Sequence, residues 1–373
     1  MAVYLTLTVL VVLLGMAADN RETVKLHIAP HRKPLYGQGM TRQQAMNLVA
    51  AAAVFVLLAG VSACRIAVGN DYWVYRFQFN LIMQGRHVSY EWGFNLVVWM
   101  IQSLFGYDHY LPVFAVFSVA TSYFFVRALY DQCRWMAAGI FLLMTGGYYF
   151  SSLNSVRYYF VLAIAMYAMK YVLRREYGKF ILWILFAACF HKSVLVVIPV
   201  YLFAGWLADR RIPRWIWLAG GLFAASLLLF QDFYRRIIFF FYPYYENTGF
   251  DTGDFSLTNI AKCLGTLFLA LLFYRQALAD ERQNRFYFLL NIAGLLVYAC
   301  ASYVPETSRI GYYFVSSQIF LLPGILLRIP KTGWRRFFTA GVGIAFAGYF
   351  ALFLHSASAV DVRLLPYLNW IFN

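Results

Sequence analysis

Apolar positions in this chain fall in long unbroken runs, not in the alternating or one-faced patterns of soluble strands and helices. Runs of ~15–20 residues suit helices that cross a bilayer; barrel strands would show about 10 alternating residues each. In chain order the runs predict spans at Val3–Ala18, Ala45–Cys64, Tyr110–Tyr130, Trp135–Phe150, Val156–Leu173, Phe180–Phe190, Val194–Leu207, Trp215–Phe230, Leu257–Tyr274, Phe286–Ala301, Tyr312–Leu327 and Phe337–Leu354. Phe94–Phe105 is apolar but too short to cross unaided, and a full crossing there would put Arg134 outside and invert every later loop. A re-entrant or interface-lying segment avoids this, provided protein or water covers the non-helical backbone at its ends. The expected fold is an all-α polytopic membrane protein with about 11–13 transmembrane helices, some short or re-entrant, around an outward-facing polar cavity.

The stretch Ser151–Ser193 organises this reading. It gives one helix at Val156–Leu173, a charged turn at Arg174–Lys179, and a shorter helix at Phe180–Phe190. Such a hairpin returns Arg157 and His191 to the same side. Eleven helical residues cover ~17 Å, against a hydrocarbon core of ~30 Å. His191 then sits below the surface in a wet cavity, and Ser193 is a suitable N-cap for the next helix. A single tilted span from Phe180 to Pro199 is the alternative; it would place Arg210, Arg211 and Arg214 outside.

Composition agrees with a membrane protein. Of the 373 residues, 62% are hydrophobic and only 13% charged, where a soluble domain carries about a quarter charged residues. Mean hydropathy is +0.62. The net charge of +15 points to the positive-inside rule and not to nucleic acid. With the N-terminus outside, the cytoplasmic turns hold 21 of the 31 Lys and Arg residues. Met1–Ala18 lacks a basic region before its apolar core, so a retained first span is expected, not a cleaved signal peptide. One polytopic domain, 1–373, contains an external segment at 65–93 and an external loop at 231–256 that carries Tyr242, Tyr244, Tyr245, Glu246, Asp251 and Asp254. The five cysteines form no CxxC pair, and no histidine or cysteine set has ligand spacing, so no metal or other cofactor is expected.

Few charges remain on the outer side. Arg65, Arg76, Arg157 and Arg309 each stand where an apolar helix begins or ends, with aromatics beside them. The guanidinium fork matches phosphate oxygens and keeps its charge, so a convergence of arginines suits a lipid phosphate or pyrophosphate. The alternatives are interface anchoring or pairing with Asp71, Glu91 and Glu306. Asp71 and Glu91 suit a general base or an acceptor for sugar hydroxyls, or else a helix cap. His191 suits a proton acceptor, a phosphate hydrogen-bond donor, or a residue that bonds a helix end. No Walker loop, dinucleotide fingerprint or nucleophile elbow is present.

The ordered set Arg65…Gly69-x-Asp71-Tyr72…Tyr75, Glu91-x-Gly93-Phe94, Asn154-x-x-Arg157, Phe190-His191-x-Ser193 and Arg309…Tyr312 resembles the EpsG family. Its members are polytopic proteins of exopolysaccharide and capsule clusters, Wzy-like in role. One departure is Arg157-Tyr158-Tyr159, where the family pattern continues with Gln and an Ala-rich turn; no role for that Gln carries over. The resemblance implies a glycosyltransferase-type polymerase in the bacterial inner membrane, with its active site facing the periplasm or exterior. It would join lipid-linked repeat units in exopolysaccharide, capsule or O-antigen synthesis. Its donor would be a glycan on undecaprenyl pyrophosphate, and no nucleotide, metal or nucleic acid would take part. Implied partners are the bilayer, a flippase and a chain-length regulator. On this reading Glu91, Asp71 and His191 are the catalytic candidates, and Arg65, Arg76, Arg157, Arg309, Tyr75 and Tyr312 bind substrate. A transporter or flippase of lipid-linked oligosaccharide, or a membrane acyltransferase, is the alternative from the residues alone.

Overall fold

The computed structural model describes residues 1–28, 41–106, 109–210, 214–241, 256–301, 307–359 and 362–371. Nineteen α-helices are formed among them. The first ten are α1 (Ala2–Met16), α2 (Arg21–Ile28), α3 (Arg42–Ala63), α4 (Asp71–Met83), α5 (Trp92–Phe105), α6 (Leu111–Gln132), α7 (Met136–Thr145), α8 (Tyr148–Ser151), α9 (Val156–Leu173) and α10 (Tyr177–Ala188). A 3-10 turn, Lys192–Val196, follows. Then come α11 (Val197–Ala208), α12 (Arg214–Leu229), α13 (Gln231–Phe241), α14 (Leu257–Leu272), α15 (Tyr274–Ala277), α16 (Arg282–Ala299), α17 (Thr307–Val315), α18 (Gln318–Leu326) and α19 (Thr332–Ser356).

Among the described residues four helices, α3, α6, α9 and α19, are long and apolar enough to cross a membrane, and the pair α1–α2, bent by 83°, makes a fifth if it is counted as one span. Shorter apolar helices of 10–17 residues include α5, α7, α10, the run Lys192–Ala208, and α14. The chain is therefore a polytopic helical membrane protein, as its apolar runs predict. Two predicted spans are broken. Trp135–Phe150 divides into α7 and α8 at Gly146-Gly147, where Gly147 takes φ +80°, a conformation open to glycine. Tyr312–Leu327 divides into α17 and α18 at Ser316-Ser317, whose hydroxyls bond the Tyr313 and Tyr287 carbonyls. The apolar run hides both breaks because burial, not helix continuity, is what it encodes. Of the predicted external loop 231–256, residues 231–241 form α13 and 242–255 lie outside the described residues.

Two compact units are formed: residues 1–195 with 329–373, and residues 196–328. In the first, α9 is the central pillar. Of its apolar window 83% is buried, against 17% for α19. The exposed face of α19, with Phe337, Ile344 and Leu352, suits lipid, where apolar exposure carries no penalty. α3 begins with a capping box in which Thr41 and Gln44 satisfy each other's backbone N–H groups.

Hydrogen bonds across the helices define two opposite ends of this unit. At one end Tyr4 donates to the Leu364 carbonyl at 2.7 Å, Tyr149 to Leu58 at 2.8 Å, and Tyr367 to Val61 at 2.8 Å. At the other, Asn47 donates to the Asp19 carbonyl at 2.7 Å and Asn20 to Tyr130 at 3.3 Å. The same second end holds a buried ionic cluster. Asp131, 1% exposed, lies 2.6 Å from Lys170 Nζ, 3.1 Å from Arg127 Nε and 2.8 Å from His27 Nδ1. It ties α6 to α9 and α2. A carboxylate at such depth persists only when paired.

The second unit is built around α16. Asn291, fully buried, donates to the Cys263 carbonyl at 3.1 Å and accepts from Gln318 at 2.7 Å. Tyr201 donates to the Tyr313 carbonyl at 2.5 Å. These amide and phenol bonds join α11, α14, α16, α17 and α18 where apolar contact alone would leave them free to slide.

Candidate functional site

At the first end of the larger unit, the starts of α4, α5 and α9 meet the break after α10. Two glycines permit the approach. Gly69 takes φ +92°, and a Cβ there would lie 2.8 Å from the Asn154 Cα. A Cβ on Gly93 would lie 2.7 Å from the Cys189 carbonyl oxygen, which accepts the Gly93 N–H at 2.9 Å. Any side chain at either position would push apart the segments that carry the polar groups.

Asp71 heads α4. Its backbone N–H donates to Asn154 Oδ1 at 2.9 Å, and its carboxylate accepts from Ser155 at 2.8 Å. The hydroxyl of Tyr75, one turn on, accepts the Arg157 N–H at 3.4 Å. Asn154-x-x-Arg157 is thus a joint between α4 and the first turn of α9.

Arg157 and Glu91 form an ion pair at 2.5 Å, with side chains 15% and 13% exposed. Glu91 occupies the N-cap position of α5, yet its carboxylate makes no cap hydrogen bond. Its second oxygen instead accepts the Lys192 backbone N–H at 3.0 Å. The Arg157 guanidinium lies 3.6 Å over the Tyr90 ring. Burial pushes the Tyr90 phenol up to about 12, so at neutral pH the ring is uncharged and the contact is cation–π. Arg157 Nε is buried and makes no hydrogen bond. A cavity of ≈ 420 Å³ borders the Glu91 side of the pair, lined by Tyr90, Glu91, Trp92, Leu185, Ala188, Cys189 and Lys192.

His191 belongs to the same neighbourhood. Its Nδ1 lies 2.8 Å from the Ser193 hydroxyl, and its ring packs edge-on against Tyr158 at 5.7 Å. Ser193 lies within the 3-10 turn and its hydroxyl engages the imidazole; the N-cap residue of α11 is Val196. Helix α10 stops at Ala188, so a single helix from Phe180 to Pro199 is not formed.

Two further candidates of the larger unit, Arg65 and Arg76, make other contacts. Arg65 is 1% exposed and donates to the Ser62 carbonyl at 2.5 Å and the Ser118 hydroxyl at 2.6 Å. Its guanidinium also lies 5.3 Å from the Phe114 ring, which stacks on Tyr72. Burial pulls the Arg65 guanidinium down to about 10, still charged at neutral pH. Arg65 is therefore walled in by α3 and α6, with no opening for an anion. Arg76 is exposed and lies over Tyr110 at 4.6 Å and Trp73 at 5.6 Å. Arg309 and Tyr312 stand on α17 in the smaller unit, where Lys262 Nζ lies 5.8 Å from the Tyr312 ring. Glu306 lies outside the described residues.

Sequence reasoning singled out Arg157, Glu91, Asp71, Tyr75 and His191, and these are gathered at one end. Tyr90, Ser155 and the Lys192 amide were not singled out. Tyr90 carried a signal in its place beside Glu91; a backbone amide carries none. Among the described residues, no group of three or more His, Cys, Asp or Glu side chains is placed to hold a metal.

No curated protein and no solved structure shows significant similarity to the chain. The EpsG family model, by contrast, matches residues 48–369, which include each of the segments that converge on the Glu91–Arg157 pair. The chain belongs to the EpsG family.

Proposed function

We propose that the protein is a polysaccharide polymerase that transfers a growing glycan from undecaprenyl pyrophosphate to the terminal sugar of a second lipid-linked unit. The site would face the periplasm or exterior of a bacterial inner membrane. The observation that carries this reading is the Glu91–Arg157 ion pair beside a ≈ 420 Å³ cavity, at the meeting point of four separate segments. Such a pair supplies both halves of the chemistry. A guanidinium suits the charge that develops on a departing pyrophosphate, and a carboxylate suits the proton of an attacking hydroxyl.

The steps balance without a cofactor. The acceptor oxygen bonds to the donor's anomeric carbon, and its proton passes to Glu91. The bond from that carbon to the pyrophosphate oxygen breaks, and the electron pair leaves on the lipid pyrophosphate beside Arg157. His191, oriented by Ser193, donates a hydrogen bond to a phosphate oxygen. Asp71 holds the joint between α4 and α9 through Ser155. Family membership supports a role in exopolysaccharide synthesis. Incubating purified protein with the lipid-linked repeat unit should yield a ladder of products on a gel; unchanged starting material would remove the polymerase reading.

A further inference from the structure

Glu91 holds two donors that an incoming phosphate would need. One oxygen takes the Arg157 guanidinium at 2.5 Å and the other the Lys192 amide at 3.0 Å. Meanwhile Arg157 Nε, buried and without a hydrogen bond, leaves the cation incompletely satisfied. A carboxylate has two oxygens, both engaged here on separate donors. A pyrophosphate has more, and can meet the amide and the whole guanidinium fork together. The cavity is lined by Glu91 and Lys192 and not by Arg157, so a ligand in it lies against the two residues that share the 3.0 Å hydrogen bond.

We infer that the Glu91 carboxylate is an internal stand-in for the donor's phosphate, which an organic pyrophosphate displaces from Arg157 and the Lys192 amide. This inference rests on the polymerase reading of the site. Displacement has a chemical consequence. While paired, Glu91 has both oxygens engaged by other donors and neither is turned to the acceptor hydroxyl. Once the pyrophosphate has replaced it, the carboxylate is unpaired and next to bound donor. The base is thereby created by donor binding, and the acceptor hydroxyl can be activated only afterwards. Binding order follows from competition for one guanidinium, with no domain movement required.

The experiment uses full-length protein in nanodiscs and two probes, farnesyl pyrophosphate and inorganic pyrophosphate. Glu91→Gln removes the competing charge but keeps the shape. It should bind farnesyl pyrophosphate about tenfold more tightly than wild type, the change expected when an unlatched tenth of the molecules becomes the whole population. The same variant should give no polymer. Glu91→Asp, with its carboxylate drawn back by one methylene, should tighten binding by a smaller factor, and it carries the test if Glu91→Gln fails to insert. Arg157→Gln should lose binding. Similar gains with inorganic pyrophosphate would place the competition at the phosphates; gains with the farnesyl probe alone would place it at the lipid and overturn the inference. Binding equal to or weaker than wild type in both Glu91 variants would also overturn it. A wild-type protein that yields no ladder, with Glu91→Gln still binding more tightly, would sink the polymerase reading and leave the displacement standing.

Discussion

Arg157 makes three kinds of contact at once: an ion pair with Glu91, a stack on Tyr90, and a backbone N–H bonded to Tyr75. Only the first two use the side chain, and a planar guanidinium can make both at once, one N–H on the carboxylate and its face on the ring. Arg157→Lys keeps the charge but loses the plane and the fork. Polymer yield should fall by at least about tenfold, while expression and membrane insertion stay near wild type; a normal yield would reduce Arg157 to an anchor. Tyr90→Phe keeps the ring and should keep activity, whereas Tyr90→Leu should lower it. Much of this was legible in the chain. Arg157, Glu91 and His191 are conspicuous because charge beside apolar sequence needs a reason. Which arginine met which carboxylate was not legible. Arg65, equally conspicuous, turned out to be held by the Ser62 carbonyl and the Ser118 hydroxyl, and uncharged acceptors give no advance sign of such a partnership.

At the scale of helices, α6 and α9 are joined near opposite ends by different chemistry. Near the Glu91–Arg157 site the contact is aromatic, with Phe117 edge-on to Phe160 at 5.4 Å. At the far end it is the Asp131–Lys170 pair at 2.6 Å. Asp131→Asn leaves Lys170 without its counter-charge and should cost about 3–5 kcal/mol. Pairing Asp131→Leu with Lys170→Met should restore most of that, read as melting temperature in detergent; equal losses in both would show that the ion pair itself holds the two helices and that the cost is not that of an orphaned lysine. Gly93→Ala forces α5 away from Cys189 and should cost about 1–3 kcal/mol, with loss of polymer exceeding loss of fold because Glu91 moves with its helix. Apolar runs located α3, α6, α9 and α19 within a few residues. They did not register the breaks at Gly146-Gly147 and Ser316-Ser317, since a broken helix and a continuous one bury the same apolar residues.

For the molecule as a whole, the site and the ionic cluster occupy opposite ends of the larger unit, and the basic turn Arg174–Lys179 follows the cluster end. The positive-inside rule predicts that end to be cytoplasmic. In a chain whose native cysteines are replaced, cysteine at Lys192 should react with an impermeant thiol reagent in intact cells, and cysteine at Lys179 only after lysis; the reverse result would invert the topology. The site end has a second dependence. Ile66, Gly69 and Asn70 donate backbone hydrogen bonds to Leu368, Arg363 and Val362, and Trp370 donates to Cys64. The loop that leads into Asp71 is therefore finished by residues the ribosome adds long after the loop itself has emerged. A chain truncated after Ala359 should insert normally and make no polymer. On the proposed function, a copy that stops short of these residues would sit in the bilayer without acting on its substrate, and competence would wait for the segment that holds Ile66, Gly69 and Asn70.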